Sequence, residues 1–326
     1  MDLVARLKDN ERNELFSETA AVKRMTPAVV EKDFWVTWTL GKIFINPALR
    51  PILKFKGGTS LSKVYGLIER FSEDIDLILN WEILTKEDPL MGRSKKKQIQ
   101  LNEEIREAAR VYIAEELLGV ISESVEPICH CEVDKHDRNM LNLYYPKAFS
   151  DDYIRPEIRL EIGPLASWLP FDEHLIKSYA AEVFPHVFEK PECLVQVIKA
   201  ERTFWEKATI LHHEAHRPEG SIQPPRNSRH YYDMAQMAMS SVKVSALADL
   251  SILESVVEFK KRFYPRGWAN YDLAKPGTLR LIPQGHVLES FKNDYKAMRN
   301  MIYGEYPEYS KILHVLAKLE DEINAL

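Results

Sequence analysis

Residues 56–79, KGGTSLSKVYGLIERFSEDIDLIL, decide the fold. The run Ile52-Leu53-Lys54-Phe55 just before them is a short apolar stretch that predicts a strand, broken by Gly57-Gly58. Residues 59–65 then read as a short helix, and residues 75–79 as a second, buried strand. Two glycines between a strand and a helix let the backbone approach a phosphate closely, and the helix start offers N–H groups and a positive dipole end. Thr59 and Ser60 add hydroxyl donors or a helix cap. Strand side chains alternate, so Asp74 and Asp76 share one side while Ile75 and Leu77 point into the core. Two carboxylates on one face are costly unless a cation neutralises them, and hard oxygens at this spacing suit Mg²⁺ (or Mn²⁺), with substrate phosphates completing its shell. An isolated Asp-x-Asp is more often a solvated strand end. Here a glycine loop that faces the same side precedes it, and the combination favours a functional site.

Outward from this block, residues 1 to about 45 read as helical; Thr26-Pro27 forms a cap-like start to PAVVEKDFWVTWTL at 27–40. Residues 94–118 form a long polar helix with an apolar stripe at Ile99, Ile105, Ala109, Ile113 and Leu117. Alternating runs at 128–133, 141–145 and 157–162 predict three strands in a meander added to the first pair. After Pro164 the texture changes: residues 191–216 read as one long helix, 217–227 as a Pro-rich loop, and most of the remainder as helical. The expected order is an α/β half with a mixed sheet over residues 1–165, followed by a helical half over 166–326.

Composition bounds the class. The chain has 326 residues, 44 Lys+Arg against 49 Asp+Glu for a formal charge of −5, and 45% hydrophobic residues, which is ordinary globular composition. No apolar run of about 18 residues is present, which excludes a helical membrane span. The charged N-terminus without an apolar core argues against export, and the three cysteines, Cys129, Cys131 and Cys193, suit a reducing compartment; a cytoplasmic protein is expected. Mild acidity disfavours an extended nucleic-acid coat but leaves room for a local basic patch.

The G-[GS]-[TS] loop, helix and D-x-D strand resemble the nucleotidyltransferase fold of the polymerase-β superfamily. More narrowly, GGTSLSK…RFSEDIDL resembles the AbiEii/AbiGii nucleotidyltransferase toxins of phage-defence (abortive-infection) toxin–antitoxin systems. The likeness extends through EKDF at 31–34, EKATIL…RHYYDM, which takes in Glu206 through Asp233, and DYKAMRNMIYGEYPEYSKIL at 294–313. It implies a polymerase-β-like lobe with a mixed sheet, a helical C-terminal lobe, and transfer of an NMP from an NTP with release of pyrophosphate. Asp74 and Asp76 would bind the metal ions. The superfamily's third carboxylate maps best onto Glu161 in EIRLEIG at 157–163; the superfamily more often has Asp there, and an Arg159–Glu161 surface pair is the competing reading. Gly57, Gly58, Thr59 and Ser60 would hold the β- and γ-phosphates with Lys207, which maps onto the lysine that steadies the triphosphate. Asp233 would orient Lys207 or act on the attacking hydroxyl, and Arg226 and Arg229 are candidates for phosphate or RNA contacts. Relatives of this kind modify RNA, tRNA 3′ ends in some cases, so an RNA acceptor, tRNA first, is expected, together with a cognate antitoxin. Transfer onto a protein hydroxyl, and a nucleotide-binding sensor without turnover, are the alternatives.

Other features carry less. His212-His213-Glu214-Ala215-His216 departs from H-E-x-x-H, since Arg217 stands where the second histidine belongs, so a polar helix end is expected rather than zinc. Cys129-His130-Cys131 lacks a second ligand pair and reads as core cysteines. Arg93 with Lys95-Lys96-Lys97 is a basic cluster that is either simply solvated or in contact with RNA. Phe34, Trp35 and Trp38 sit at helical spacing and read as core.

Overall fold

In the computed structural model, which describes residues 1–72, 74–151 and 154–326, the chain forms two units. The first comprises Met1–Val64 and Phe71–Ile198, the second Tyr65–Arg70 and Lys199–Leu326.

The first unit is built on α3 (Pro27–Ile45), preceded by α1 (Asp2–Ala5) and α2 (Asp9–Lys23). Thr26 caps α3 by accepting from the Val29 amide at 3.3 Å, with Pro27 at the first helical position. Val30, Phe34, Trp35, Trp38, Leu40 and Ile43 of this helix are all essentially buried. The sheet follows: β1 (Leu53–Lys56), then α4 (Gly57–Lys63), β2 (Asp74–Leu79), α5 (Lys95–Tyr112), α6 (Leu118–Val125), β3 (His130–Val133), β4 (Met140–Tyr144), β5 (Glu157–Gly163), β6 (Phe171–Lys177), α7 (Tyr179–Val183) and β7 (Glu192–Ile198). Seven strands run in the order β3-β4-β5-β2-β1-β7-β6. The β3-β4-β5 meander and the β1–β2 and β6–β7 pairs are antiparallel, whereas β2–β5 and β1–β7 are parallel, so the sheet is mixed. Alternation sets its faces. Ile75, Leu77, Leu141, Leu143, Ile158, Leu160, Val195 and Val197 are buried on one side, while Asp74, Asp76, Arg159 and Glu161 line the other.

The second unit is helical: α8 (Ala200–Ala215), α9 (Ser228–Ala238), α10 (Val242–Ala248), α11 (Ser251–Phe263), α12 (Gly285–Ala297) and α13 (Tyr309–Asn324). α8 packs against α9, α10 and α11, and α9 also against α12 and α13. Trp205, fully buried, donates its indole N–H to the Ala246 carbonyl at 3.2 Å, tying α8 to α10. Arg202 and Glu206, one turn apart on α8, pair at 3.3 Å.

Two expectations are corrected. Residues 191–216 are not one helix: ECLVQVI is β7, held between β1 and β6, and the helix begins at Ala200. The segment alternates, with Val195 and Val197 buried, and sheet pairing on both edges prevails over its neutral local preference. The division between units therefore falls after Ile198 rather than near 165, because β6 and β7 complete the sheet, and the short segment Tyr65–Arg70 joins the helical unit.

Candidate active site

The glycine loop and the first carboxylates meet within the first unit. Lys56 at the end of β1 is in register with Asp76 of β2, so the loop that follows turns beside that carboxylate. Gly57 has φ +83°, and a Cβ there would stand 1.7 Å from Asp76 Oδ2. Only glycine gives both the left-handed backbone and this approach. Ser60 donates its hydroxyl to the Gly57 carbonyl at 2.8 Å, and Thr59 donates to the Asp74 carbonyl at 2.5 Å. Each hydroxyl has one proton, and both are engaged by backbone carbonyls: Ser60 closes the loop on itself, and Thr59 fastens it to β2.

On β2, Asp76 is the register partner of Glu161 on parallel β5, and Asp74 that of Arg159. Partners in register point to the same face, so Asp76 and Glu161 stand side by side on the polar face of the sheet. Asp74 Oδ1 is buried and, among the described residues, accepts no hydrogen bond. An ionised oxygen hidden from water without a donor is costly, and a hard cation relieves it. Among the described residues, no three His, Cys, Asp or Glu side chains converge as a metal cage. Asp74 and Asp76 form the two-carboxylate set, with exposed Glu161 alongside rather than clustered with both. This donor set fits a divalent ion of the Mg²⁺ kind, which takes one or two carboxylates and leaves positions to substrate oxygens.

The EKDF segment of α3 fixes the same region from behind. Glu31 accepts from the Ala148 and Phe149 amides at 2.8 and 3.1 Å. Lys32 donates to the Arg155 and Glu157 carbonyls at 2.8 and 2.5 Å, at the entry to β5. Asp33, 6% exposed, pairs with Lys63 at the end of α4 and accepts from the Tyr179 amide at 2.6 Å. Three consecutive charged side chains are thus buried and paired, and they anchor the ends of α4 and β5, which carry the loop and Glu161.

Lys207 and Asp233 meet in the helical unit. Asp233 is fully buried; Lys207 donates to its Oδ2 at 2.7 Å, and Arg70 clamps it with Nε at 2.6 Å and Nη2 at 2.8 Å. Burial pushes the Asp233 carboxyl up, but the Arg70 and Lys207 charges outweigh it and hold the group well below the usual carboxylate range. Burial lowers the Lys207 ammonium, opposed by Asp233. Asp233 thus accepts from three donors on its two oxygens and is fully buried. Arg229 lies one turn before Asp233 on α9.

Arg70 and Asp33 had no assigned part in the sequence reading. The C-terminal signature supports Arg70: Arg70 bridges to Ile302, the Tyr303 amide donates to the Glu69 carbonyl at 3.0 Å, and Gly304 lies where a Cβ would strike Glu69. His212 is no metal ligand here. Its Nδ1 accepts from the Arg280 amide at 3.0 Å and its Nε2 faces the Asn270 carbonyl at 3.1 Å. Cys129 and Cys131 are buried, as a core reading expects, and burial pushes both thiols up to about 12.

The model of the family described as "Nucleotidyl transferase AbiEii toxin, Type IV TA system" matches residues 38–318. The chain belongs to the AbiEii nucleotidyl transferase toxin family. As an AbiEii-family member it is a nucleotidyltransferase toxin of a type IV toxin–antitoxin system, which implies an NTP substrate, a divalent metal and an antitoxin partner. Solved structures similar to this AbiEii chain include MenT4, a nucleotidyltransferase toxin from Mycobacterium tuberculosis H37Rv, at 14% identity and TM-score 0.41, covering 94% of this chain and 98% of that one. JHP933 from Helicobacter pylori is similar at 16% identity and TM-score 0.37, covering 91% and 97%. No curated protein matches. Among the described residues no helix is long and apolar enough to cross a membrane.

Proposed function

We propose that this AbiEii-family toxin transfers an NMP from an NTP to an RNA acceptor, with tRNA the expected target, and releases pyrophosphate. The observation that carries the reading is the buried, unpartnered Oδ1 of Asp74 next to Asp76 and the Gly57 turn. Asp74 and Asp76 are the proposed ligands of Mg²⁺ or Mn²⁺, and Glu161, the neighbour of Asp76, is the proposed third oxygen donor. A divalent ion held there would neutralise triphosphate charge and lower the pKa of an acceptor hydroxyl. The chain's own part is positioning and charge. The Gly57-Gly58 backbone approaches the phosphates, while Thr59 and Ser60 keep that turn rigid through their bonds to backbone carbonyls. Lys207, aimed by Asp233, and Arg229 supply positive charge for the triphosphate. The reading places the protein in the cytoplasm as an abortive-infection toxin active in phage defence, in keeping with its three free thiols.

The test mixes purified protein with total cellular RNA, a divalent salt and each α-labelled NTP in turn, with Asp76→Ala alongside. Label in a tRNA-sized band with the unaltered protein only is the expected result, and the productive NTP names the base. Label in protein bands would move the acceptor to a protein hydroxyl. NTP binding without any label transfer would sink the catalytic reading and leave a sensor.

A further inference from the structure

We infer that the helical unit carries a second phosphate-binding subsite, separate from Lys207, that grips the backbone of a single-stranded RNA acceptor. A cavity of about 300 Å³ opens among α8, the 217–227 loop, the start of α9 and the end of α11. Arg226, Arg229, Lys260 and Arg266 line it, against one acid, Glu214. That acid is already neutralised: Arg217 clamps Glu214 at 2.6 and 2.7 Å, and His213 Nε2 stands at 3.0 Å. Among the described residues, Arg226, Arg229 and Arg266 have no carboxylate partner. The lining is therefore cationic and holds donors without acceptors.

Neutral donors point the same way. Asn227, 7% exposed, lines the cavity, and its buried Nδ2 has no acceptor. A buried amide donor left unpaired is costly, and an anionic oxygen in the cavity would satisfy it. Planar guanidiniums match phosphate geometry in pairs. The loop is held for the purpose: Asp294 accepts from the Arg226 and Ser228 amides at 2.7 and 2.8 Å, fixing Arg226 in its left-handed conformation at φ 61°. Half-exposed Tyr264 lines the same cavity and offers a ring on which an unpaired base can stack, a feature that suits a nucleotide strand better than free phosphate. Lys207 itself does not line the cavity, which runs from Ile210, one turn beyond that lysine on α8, to Glu214, about 10 Å along the helix from it; Arg229 alone is shared with the proposed triphosphate contacts.

The choice of RNA rests on the acceptor reading above, and the test separates the two. Binding of a short fluorescent single-stranded RNA is followed by anisotropy across a salt series, and labelled NTP by equilibrium dialysis. The Arg226→Ala/Arg266→Ala double variant changes two exposed side chains outside the proposed catalytic set. Its RNA affinity is expected to fall about tenfold, with the slope of log Kd against log salt reduced by about 1.4, twice the 0.7 for each phosphate contact on a single strand. NTP binding is expected to be unchanged, and Arg226→Lys/Arg266→Lys to keep the salt slope. An unchanged RNA affinity or slope, a loss of NTP binding instead, or no RNA binding by the unaltered protein would overturn the subsite. Asp76→Ala keeps the cavity, so loss of transfer with intact RNA binding leaves this inference standing, whereas failure of the salt slope alone leaves the transfer reading standing.

Discussion

Replacing Gly57 by alanine probes the contact between the loop and Asp76, the proposed metal-site carboxylate. The backbone there has φ +83°, and the left-handed region costs an alanine about 1–2 kcal/mol. The added Cβ would lie 1.7 Å from Asp76 Oδ2 and 2.9 Å from Asp76 Cβ. Reaching ordinary contact at 3.4 Å needs a displacement of 3.4 − 1.7 = 1.7 Å, and rotating the carboxylate does not relieve the closeness to Cβ, so β2 must also give. Misplacing a reacting group by about 1 Å costs about 100-fold in rate, or about 2.7 kcal/mol of barrier. Gly66 supplies the control: its φ is +59°, with nothing within 4 Å of an added Cβ. Both Gly57→Ala and Gly66→Ala should lose the left-handed cost in denaturant unfolding, and Gly57→Ala should lose more because β2 must also give. Only Gly57→Ala should lose about 100-fold or more in label transfer from an α-labelled NTP. Equal activity in the two variants, at either level, would refute the idea that this turn positions Asp76.

Three further outcomes follow from buried charge and burial. Asp233→Asn leaves Arg70 and Lys207 as two buried cations and should destabilise the helical unit by about 3–5 kcal/mol, whereas Lys207→Met leaves the Arg70–Asp233 pair neutral and should cost less; chemical denaturation of both variants checks the order. Burial lowers His212 from 6.5 to about 4, and its neutral form alone can accept from the Arg280 amide. Between those pH values the unfolded chain takes up a proton that the folded chain refuses, so stability should fall with pH by up to about 1.4 kcal/mol per pH unit for this group. His213 and His230 shift in the same direction, so His212→Gln should flatten the profile only in part; an unchanged slope by pH-dependent unfolding would contradict the assignment. Cys129 and Cys131, with thiols pushed up to about 12, should react with a thiol reagent at neutral pH only on unfolding, and a rapid reaction of the native protein would show that they are accessible.

The core of the fold was legible where local pattern and tertiary fate agree. The strand–Gly-Gly–helix–Asp-x-Asp order, the three-strand meander and the capped helix from Pro27 all follow from periodicity and cap chemistry. β6 and β7 were not legible. FDEHLIK is an edge strand whose outward residues give weak alternation, and ECLVQVI runs into helix-forming residues with only Lys199 between. Of the candidate site residues, the Lys207–Asp233 contact was expected and found, while Arg70 passed unassigned because its partner lies 163 residues away. Asp33 illustrates the same limit, since Lys63 is 30 residues off. A signal for it was present nonetheless: Glu31-Lys32-Asp33 interrupts an otherwise apolar helix that is buried all round, and charges in that setting must be paired.

The short segment Tyr65–Arg70 belongs to the helical unit although it lies between α4 and β2 in the chain. Its consequence concerns inheritance. A fragment beginning at Lys199 would carry Asp233 and Lys207 but lack the guanidinium that clamps Asp233, as well as the Glu69 carbonyl that receives the Tyr303 amide. No single genetic crossover between relatives can exchange the helical half intact. A single-crossover graft that keeps the donor's Arg70 must also bring β2 with Asp74 and Asp76 and the strands that follow, so the helical half is inherited together with most of the sheet.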